Sequence, residues 1–442
     1  FGDGGGGGGG GGWESDLNFV IETLTTTANI MQPALFNTSG GGGLSEADKN
    51  VQQWLVKEIN VRASAKVPQS RILVVNNRSR LQESLDMRIE RRATKTSIPG
   101  EPFPSRRSPR LDMDRDGGDS VRSIPMFSRD MEIALNHVCS WDDFDLTRVC
   151  EITSGKPLFS VAMAAFAELG LFAAFDLDRH RLCNFLNAVE AEYNPVPYHT
   201  SVHAADVVQA LTCILSSPDL SRLLSALDIL SCVLAAIVHD LGHTGCNNSY
   251  EIATMSDKAL TYNDRSVWES YHVSRAFTLL REDAYNFLYL LSPEEQREIR
   301  KNVIGCVLAT DMSQHFEHLG AFKAKMLGER FNTEDGRLTV MYMAIHVADL
   351  SNGGRKINVY LSWVDRVMEE FYLQGDKERA NGLPISPWMD RTQAQLRQCQ
   401  CGFLDYIVLP TFSVWTEAFP SLAVMLTNAS GNRKYWENKT AV

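Results

Sequence analysis

The sequence contains no run of the roughly 18 to 20 uncharged apolar residues that a membrane-spanning helix needs, so no span is expected in it. No secretory leader is visible. Basic charge is also in short supply. Lys and Arg total 43 against 54 Asp and Glu, a net −11, which argues against a general nucleic-acid binder. Paired cysteine spacings are missing. The nine Cys are odd in number and scattered, as reduced thiols of a cytoplasmic protein would be. Cys399 and Cys401 in "QCQC" read as ordinary helix cysteines rather than a ligand pair. Strand-like alternation between turn residues is absent, and so is any internal repeat. The chain begins with Phe1 instead of Met, so an upstream segment is expected, with room for a tether to a membrane or the cytoskeleton.

What is present divides at about residue 137. Residues 1–136 form an irregular regulatory or linker region. Gly4 to Gly12 and Gly40 to Gly43 are unbroken glycine runs, too costly in backbone entropy to fold alone. Two short amphipathic helices are expected here. One lies in "WESDLNFVIETLTTTANIMQPALF", ended by Pro33; the other places Val51, Trp54, Leu55 and Ile59 on one face. Having nothing local to bury against, they are candidates for homodimerisation. Residues 71–110 are Arg-rich and end in a Pro/Ser segment that reads as solvated linker. Within it, "RRAT" (Arg91, Arg92, Thr94) and "RRS" (Arg106, Arg107, Ser108) suit a basophilic kinase. The basic stretch "RILVVNNRSRLQESLDMRI" suits calmodulin.

Residues 137–442 carry a 3.6-residue apolar period over 157–171, 179–193, 202–216, 221–239, 268–281, 299–311, 338–350, 357–373 and 400–419. The expected fold is all-α: one large multi-helix domain, 44% of the whole chain being hydrophobic and able to supply its core. Three apolar helices end in ionisable groups. "PYHTSVHAADVV" places His199 and His203 four apart, with Asp206 three further on. "ILSCVLAAIV", apolar all round, runs into His239, Asp240 and His243. "MAIHVADLSNGG" delivers Asp349 and Asn352 before a glycine break. Each feature alone is commonplace; a lone core histidine is usually just hydrogen-bonded. Together they suggest a mixed nitrogen and oxygen site for zinc, with an oxygen-rich neighbour for magnesium or manganese. Such a binuclear site hydrolyses phosphate esters. Which ester is not set by spacing.

The strings "YHTSVHAADVVQ", "HDLGHTGCNNSY", "YNDRSVWESYHVS", "VLATDMSQHF", "HVADLSN", "EEFYLQGDKE", "GLPISPWMDR" and "QCGFLDYIVLP" occur in the order found in the class I cyclic nucleotide phosphodiesterases, which residues 137–438 resemble. The resemblance implies that His203, His239, Asp240 and Asp349 ligate zinc. Asp240 would also bridge to a second metal, usually magnesium, whose waters His243, Glu269 and Thr310 would hold. His199 would be the general acid. Gln400 would bond the purine between Phe403 and Val367, with Tyr198, Met312 and Asn352 lining the pocket. Several strings are most similar to the calcium/calmodulin-stimulated class, while Asn352 resembles the cyclic-AMP-preferring classes. "SNGG" stands where Ser-Asn-Pro is common, which is expected to loosen the loop after Asp349. Gly242 replaces a polar residue before His243. The charge-rich "MEEFYLQGDKE" is read as a solvated helix end, and neither Glu369 nor Glu370 is given a role. The function expected is hydrolysis of a 3′,5′-cyclic nucleotide, cyclic AMP before cyclic GMP, with dual specificity open. The alternatives are another His-Asp metallophosphohydrolase and an inactive binding scaffold.

Overall fold

The computed structural model describes residues 127–328 and 330–439. The two N-terminal amphipathic segments, the Arg-rich stretch 71–110 and the dimerisation reading all lie outside the described residues. Among those residues the regular structure is helical throughout, with no strand, as the apolar period implied.

The innermost helix is Ala226–Val238. A capping box between Ser225 and Asp228 starts it, and every residue but Leu227 is buried. It packs on Pro293–Leu308 and Ser201–Leu215, and the latter also packs on Leu158–Glu168 and Glu334–Asp349. Small residues permit the close approach. A Cβ at Gly305 would fall 2.2 Å from the hydroxyl of Tyr342 on Glu334–Asp349, so any larger residue there would displace that ring.

Helix bounds differ from the periodic pattern where polar first turns hide the start. Pro293–Leu308 begins before residue 299, because Pro293 at the first turn and the Ser292–Glu295 capping box initiate it. Thr333 likewise caps Glu334–Asp349. The run from 221 is interrupted: a short helix Pro218–Ser221 ends, and the chain restarts at Ser225. The helices His315–Leu327 and Ala423–Asn438 lie beyond the predicted spans. The expected single helix over 400–419 is instead Leu396–Phe403, a π-helical turn Leu404–Val408, and Leu409–Ala418. Pro410, without an N–H, cannot continue the α-helical bond ladder, and the wider turn accommodates it. Toward the N-terminus the packed body extends past residue 137. Arg129–Leu135 is a helix whose Met131 and Leu135 belong to the same core.

The turn after Asp349 is the clearest departure. Leu350–Gly354 forms a tight 3-10 helix, not a loosened loop. The glycines allow contact: a Cβ on Gly354 would lie 2.8 Å from the Phe412 ring, and one on Gly353 3.0 Å from Val408. The Trp141 indole N–H donates to Gly354 O at 2.9 Å, and Asn432 Nδ2 donates to Gly353 O at 3.0 Å. Arg355 follows, buried, its Nη2 2.7 Å from Asp206 Oδ1 and 2.7 Å from Gln209 Oε1. Asp206 is thereby spent on fastening this turn to the helix that carries His203.

Removing one partner of a buried pair strands the other charge, at a cost of about 3–5 kcal/mol. Arg355→Ala is therefore expected to lower unfolding free energy by about that amount in urea titration. A loss under about 1 kcal/mol would mean the pair does not hold the turn.

Candidate metal centre and cavity

Three helix ends converge. His203 sits in the first turn of Ser201–Leu215, which Thr200 caps by accepting from Val202 N. His239 terminates Ala226–Val238, and Asp240 follows it. Asp349 ends Glu334–Asp349. His203 Nε2 lies 3.0 Å from Asp349 Oδ1 and 3.6 Å from Asp240 Oδ2. His239 Nε2 lies 3.1 Å from Asp240 Oδ2 and 3.4 Å from Asp349 Oδ1.

Tautomers decide what these atoms can do. His239 Nδ1–H donates to Ala236 O at 2.9 Å, leaving a bare lone pair on Nε2. That nitrogen and Asp240 Oδ2 face each other, buried, and neither has a hydrogen-bond partner. Two acceptors so placed repel unless a cation lies between them. The donor set fits a metal ion, and His203, His239 and Asp240 are close enough to share one. In the bare protein the cluster compensates internally. Burial pushes His239 down, but Asp240 and Asp349 hold it well above the usual imidazole range. Burial pushes Asp240 up, but His239, His199 and His203 hold it well below the usual carboxylate range. His203 Nδ1 has no partner, so its tautomer is not set from behind.

His243, on the same turn, differs. Gly242 and Gly245 take φ +77° and +75°, and Asn194 Nδ2 donates to the carbonyls of Gly242 and His243 at 3.0 and 2.9 Å. A side chain at position 242 would meet the Tyr271 ring at 3.0 Å, which is why no polar residue stands there. Gly245 N–H donates to His243 Nδ1 at 3.0 Å, so Nε2 carries the proton. Burial and then His199 hold His243 well below its usual range, hence neutral. It can donate to an oxygen but has no free lone pair for a metal, although His199, His243 and Glu370 are near enough to form a ligand group.

His199 lies before the Ser201–Leu215 helix with its Nδ1 in a short hydrogen bond to Glu370 Oε1. Glu370 Oε2 accepts from Tyr198 N at 2.8 Å and His199 N at 3.1 Å. Contrary to the solvated reading of its segment, Glu370 is 3% exposed. Burial pushes Glu370 up, but His199 brings it to about 2. Burial pushes His199 down, but Glu370 and Asp240 raise it to about 9.

These groups open on a cavity of about 370 Å³ lined by Tyr198, His199, Asp240, His243, Glu269, Thr310, Met312, Asp349, Asn352, Val367, Gln400 and Phe403. All but two of the site residues implied by the family resemblance therefore share it; His203 and His239 lie buried behind the wall. Glu269 accepts from Asn248 Nδ2 at 3.0 Å; burial and then Asp311 raise its carboxyl to about 8. Thr310 Oγ1 donates to Val307 O at 2.8 Å. Asn352 Nδ2 donates to the Tyr198 hydroxyl. Gln400 is buried. Its Oε1 accepts from the Tyr360 hydroxyl at 2.8 Å, and that oxygen accepts from Trp436 Nε1 at 2.8 Å.

Sequence reasoning missed His272, Glu370, Tyr360 and Trp363. His272 Nδ1–H donates to Leu241 O at 2.7 Å, Nε2 lies 3.9 Å from Asp240 Oδ1, and the ring stacks on Trp268. It stands within a string already singled out, four residues after Trp268, a helical spacing that could have flagged it. Trp363 lines the cavity, its ring centroid 5.7 Å from that of His203. Cys399 and Cys401 are free thiols, the first buried and the second half-buried.

The fold and the cluster define a class: helical proteins whose helix ends assemble a His/Asp centre able to hold a metal beside a cavity. The family model for 3′5′-cyclic nucleotide phosphodiesterase matches residues 198–429, and the chain belongs to that family. It is 34% identical over 321 residues to the probable 3′,5′-cyclic-AMP phosphodiesterase pde-4 of Caenorhabditis elegans, covering 71% of this chain and 48% of that protein. It is 36% identical over 314 residues to the dual specificity calcium/calmodulin-dependent 3′,5′-cyclic nucleotide phosphodiesterase 1B of Rattus norvegicus, covering 70% and 58%. The chain thus spans about half the length of such curated relatives. Its fold matches the phosphodiesterase domain of the RhoPDE fusion protein from the choanoflagellate Salpingoeca rosetta with TM-score 0.64 and 30% identity, covering 69% of this chain and 96% of that one.

The tautomers give distinct expectations for metal content, read by atomic spectroscopy on purified protein. His239→Ala and Asp349→Ala are expected to lose most of the divalent metal, and His243→Asn to keep it. Equal loss in all three would refute the donor role assigned to His243.

Proposed function

We propose that the chain hydrolyses a 3′,5′-cyclic nucleotide to the 5′-monophosphate, taking cyclic AMP before cyclic GMP. The observation that carries this is the unpartnered pair His239 Nε2 and Asp240 Oδ2 beside the cavity that also holds a histidine charged by Glu370. Zinc would be held by His203, His239, Asp240 and Asp349. Magnesium or manganese would lie beside Asp240, its waters held by His243, Glu269 and Thr310. Bound there, divalent cations supply Lewis-acid charge at the phosphoryl group and acidify water.

The protein's own groups do the rest. His199, with Nδ1 engaged by Glu370, turns Nε2 to the cavity and protonates the departing O3′. Glu370 keeps that imidazole charged until the proton leaves. His243, neutral, donates from Nε2 without competing for metal. Phe403 and Val367 would flank the purine, and Gln400 would bond its edge. Tyr360, itself fixed by Trp436, restrains rotation of the Gln400 amide, so one order of donor and acceptor on the base is preferred. Asn352, together with relatives described as cyclic-AMP or dual-specificity enzymes, supports cyclic AMP first. Tyr198 and Met312 would complete the pocket. Calmodulin or a kinase would act on residues 71–110, and pairing of two copies would use the N-terminal segments. A cytoplasmic setting fits the unpaired cysteines; no described helix is long and apolar enough to cross a membrane.

Side-by-side turnover of cyclic AMP and cyclic GMP by the full chain tests the reading, and loss of neither substrate would refute it. His199→Ala should retain metal and lose about a hundredfold or more in rate. Unchanged turnover would remove His199 from the reaction.

The pH profile gives a further expectation. His199 must be protonated to act, so activity is present below its pKa and lost as pH rises through it. Removing the Glu370 charge lowers that pKa. Glu370→Gln is therefore expected to move the alkaline limb of kcat toward lower pH. A limb that stays in place would show that His199 does not set it.

A further inference from the structure

The helix Ile357–Ala380 carries a second group aimed at the metal-bearing turn. Glu370, Gln374 and Lys377 are four and three residues apart and share a face. Glu370 holds His199. Gln374 holds Asn247: Asn247 N–H donates to its Oε1 at 2.9 Å, and its Nε2 donates to Asn247 Oδ1 at 3.0 Å. Lys377 meets Cys246, with Nζ 3.2 Å from Sγ. Among the described residues no carboxylate lies within ion-pair distance of Lys377, so this exposed lysine spends its directed contact on sulfur. The cysteine is fixed from its other side. Its carbonyl accepts from Trp268 Nε1 at 2.7 Å, and the residue is 2% exposed. Burial raises the thiol above its ordinary range against the pull of Lys377, so the amine is the group that would generate any thiolate. An oxidant for so buried a sulfur must be small, as a peroxide is. Lys377 is the nucleophile placed against that sulfur.

We propose that Cys246 and Lys377 form a reversible oxidative cross-link that switches the neighbouring catalytic groups. The Cys246 thiolate attacks a peroxide oxygen. An S–O bond forms, the O–O bond breaks, and the peroxide is reduced as sulfur is oxidised to sulfenic acid, with water released. Lys377, having lost one proton to solvent, then attacks that sulfur. An S–N bond forms, the S–O bond breaks, and the departing hydroxide takes the amine's proton as water. In sum, thiol, ammonium and one peroxide give the sulfenamide, two waters and a proton. Excess thiol reduces the S–N bond and restores both side chains.

The link reaches the site through Gly245. A Cβ on Gly245 would lie 3.3 Å from Glu370 Cγ, so the turn already rests against that side chain. A covalent bond in place of the 3.2 Å contact shortens the tie between this turn and the helix that carries Glu370, which orients His199.

The test treats the full chain with hydrogen peroxide and digests it with trypsin. The expected product is a cross-linked pair of peptides containing Cys246 and Lys377. Its mass is the sum of the two less two hydrogens. It vanishes with dithiothreitol and is absent from Cys246→Ser and Lys377→Arg. Turnover of cyclic AMP should fall about tenfold or more on oxidation and recover on reduction, since misplacements on the ångström scale cost that much. Both variants should resist the loss. Recovery of Cys246 as free thiol or sulfinic acid with Lys377 still cleaved would overturn the proposal. A cross-link that leaves turnover unchanged would overturn the switch. The turnover readout rests on the proposed hydrolase activity, whereas the mass readout does not: a protein inactive before oxidation would count against the hydrolase reading alone.

Discussion

Everything in this molecule depends on holding acceptors of like polarity face to face. His239 Nε2 and Asp240 Oδ2 would move apart in a yielding scaffold, since neither has a hydrogen-bond partner in the chain. The scaffold does not yield because both stand at the end of Ala226–Val238, a helix buried over nearly its whole length. The apolar packing of that helix is thus the counterpart of the polar cluster, and the ion that the cluster suits gains from work already done in folding.

The same economy runs along Ile357–Ala380. One helix face reaches His199 through Glu370, the glycine turn through Gln374, and the cysteine of that turn through Lys377. His199 and the glycine turn are therefore set by a single rigid rod. The Arg355–Asp206 pair does the equivalent on the opposite side, tying the turn after Asp349 to the helix that bears His203.

Much of this was legible in the sequence because apolar periodicity and the titratable residues ending it are local signals. His203, His239, Asp240 and Asp349 announce themselves as polar groups at the ends of buried helices. What stayed hidden depends on tertiary contact. Glu370 sits in a charged segment and looks solvated until Tyr198 and His199 are placed against it. Asp206 keeps helical spacing with His203, yet a distant arginine claims it. "SNGG" reads as slack, but the absent side chains are what let Phe412 and Val408 pack against the backbone. Helix starts at Ser292 and Thr333 were missed for a related reason, since their first turns are polar and carry no apolar period.

The π-helical turn at Leu404–Val408 also sets which way the chain faces on either side of it. Each extra residue accommodated in a helix rotates the downstream segment by about 100° about the axis. Gln400 and Phe403 upstream can therefore look into the cavity while Phe412 and Trp415 downstream look into the core. The bulge works as a universal joint: selection on ligand recognition and selection on folding act on two halves of one rod without either dictating the other's bearing.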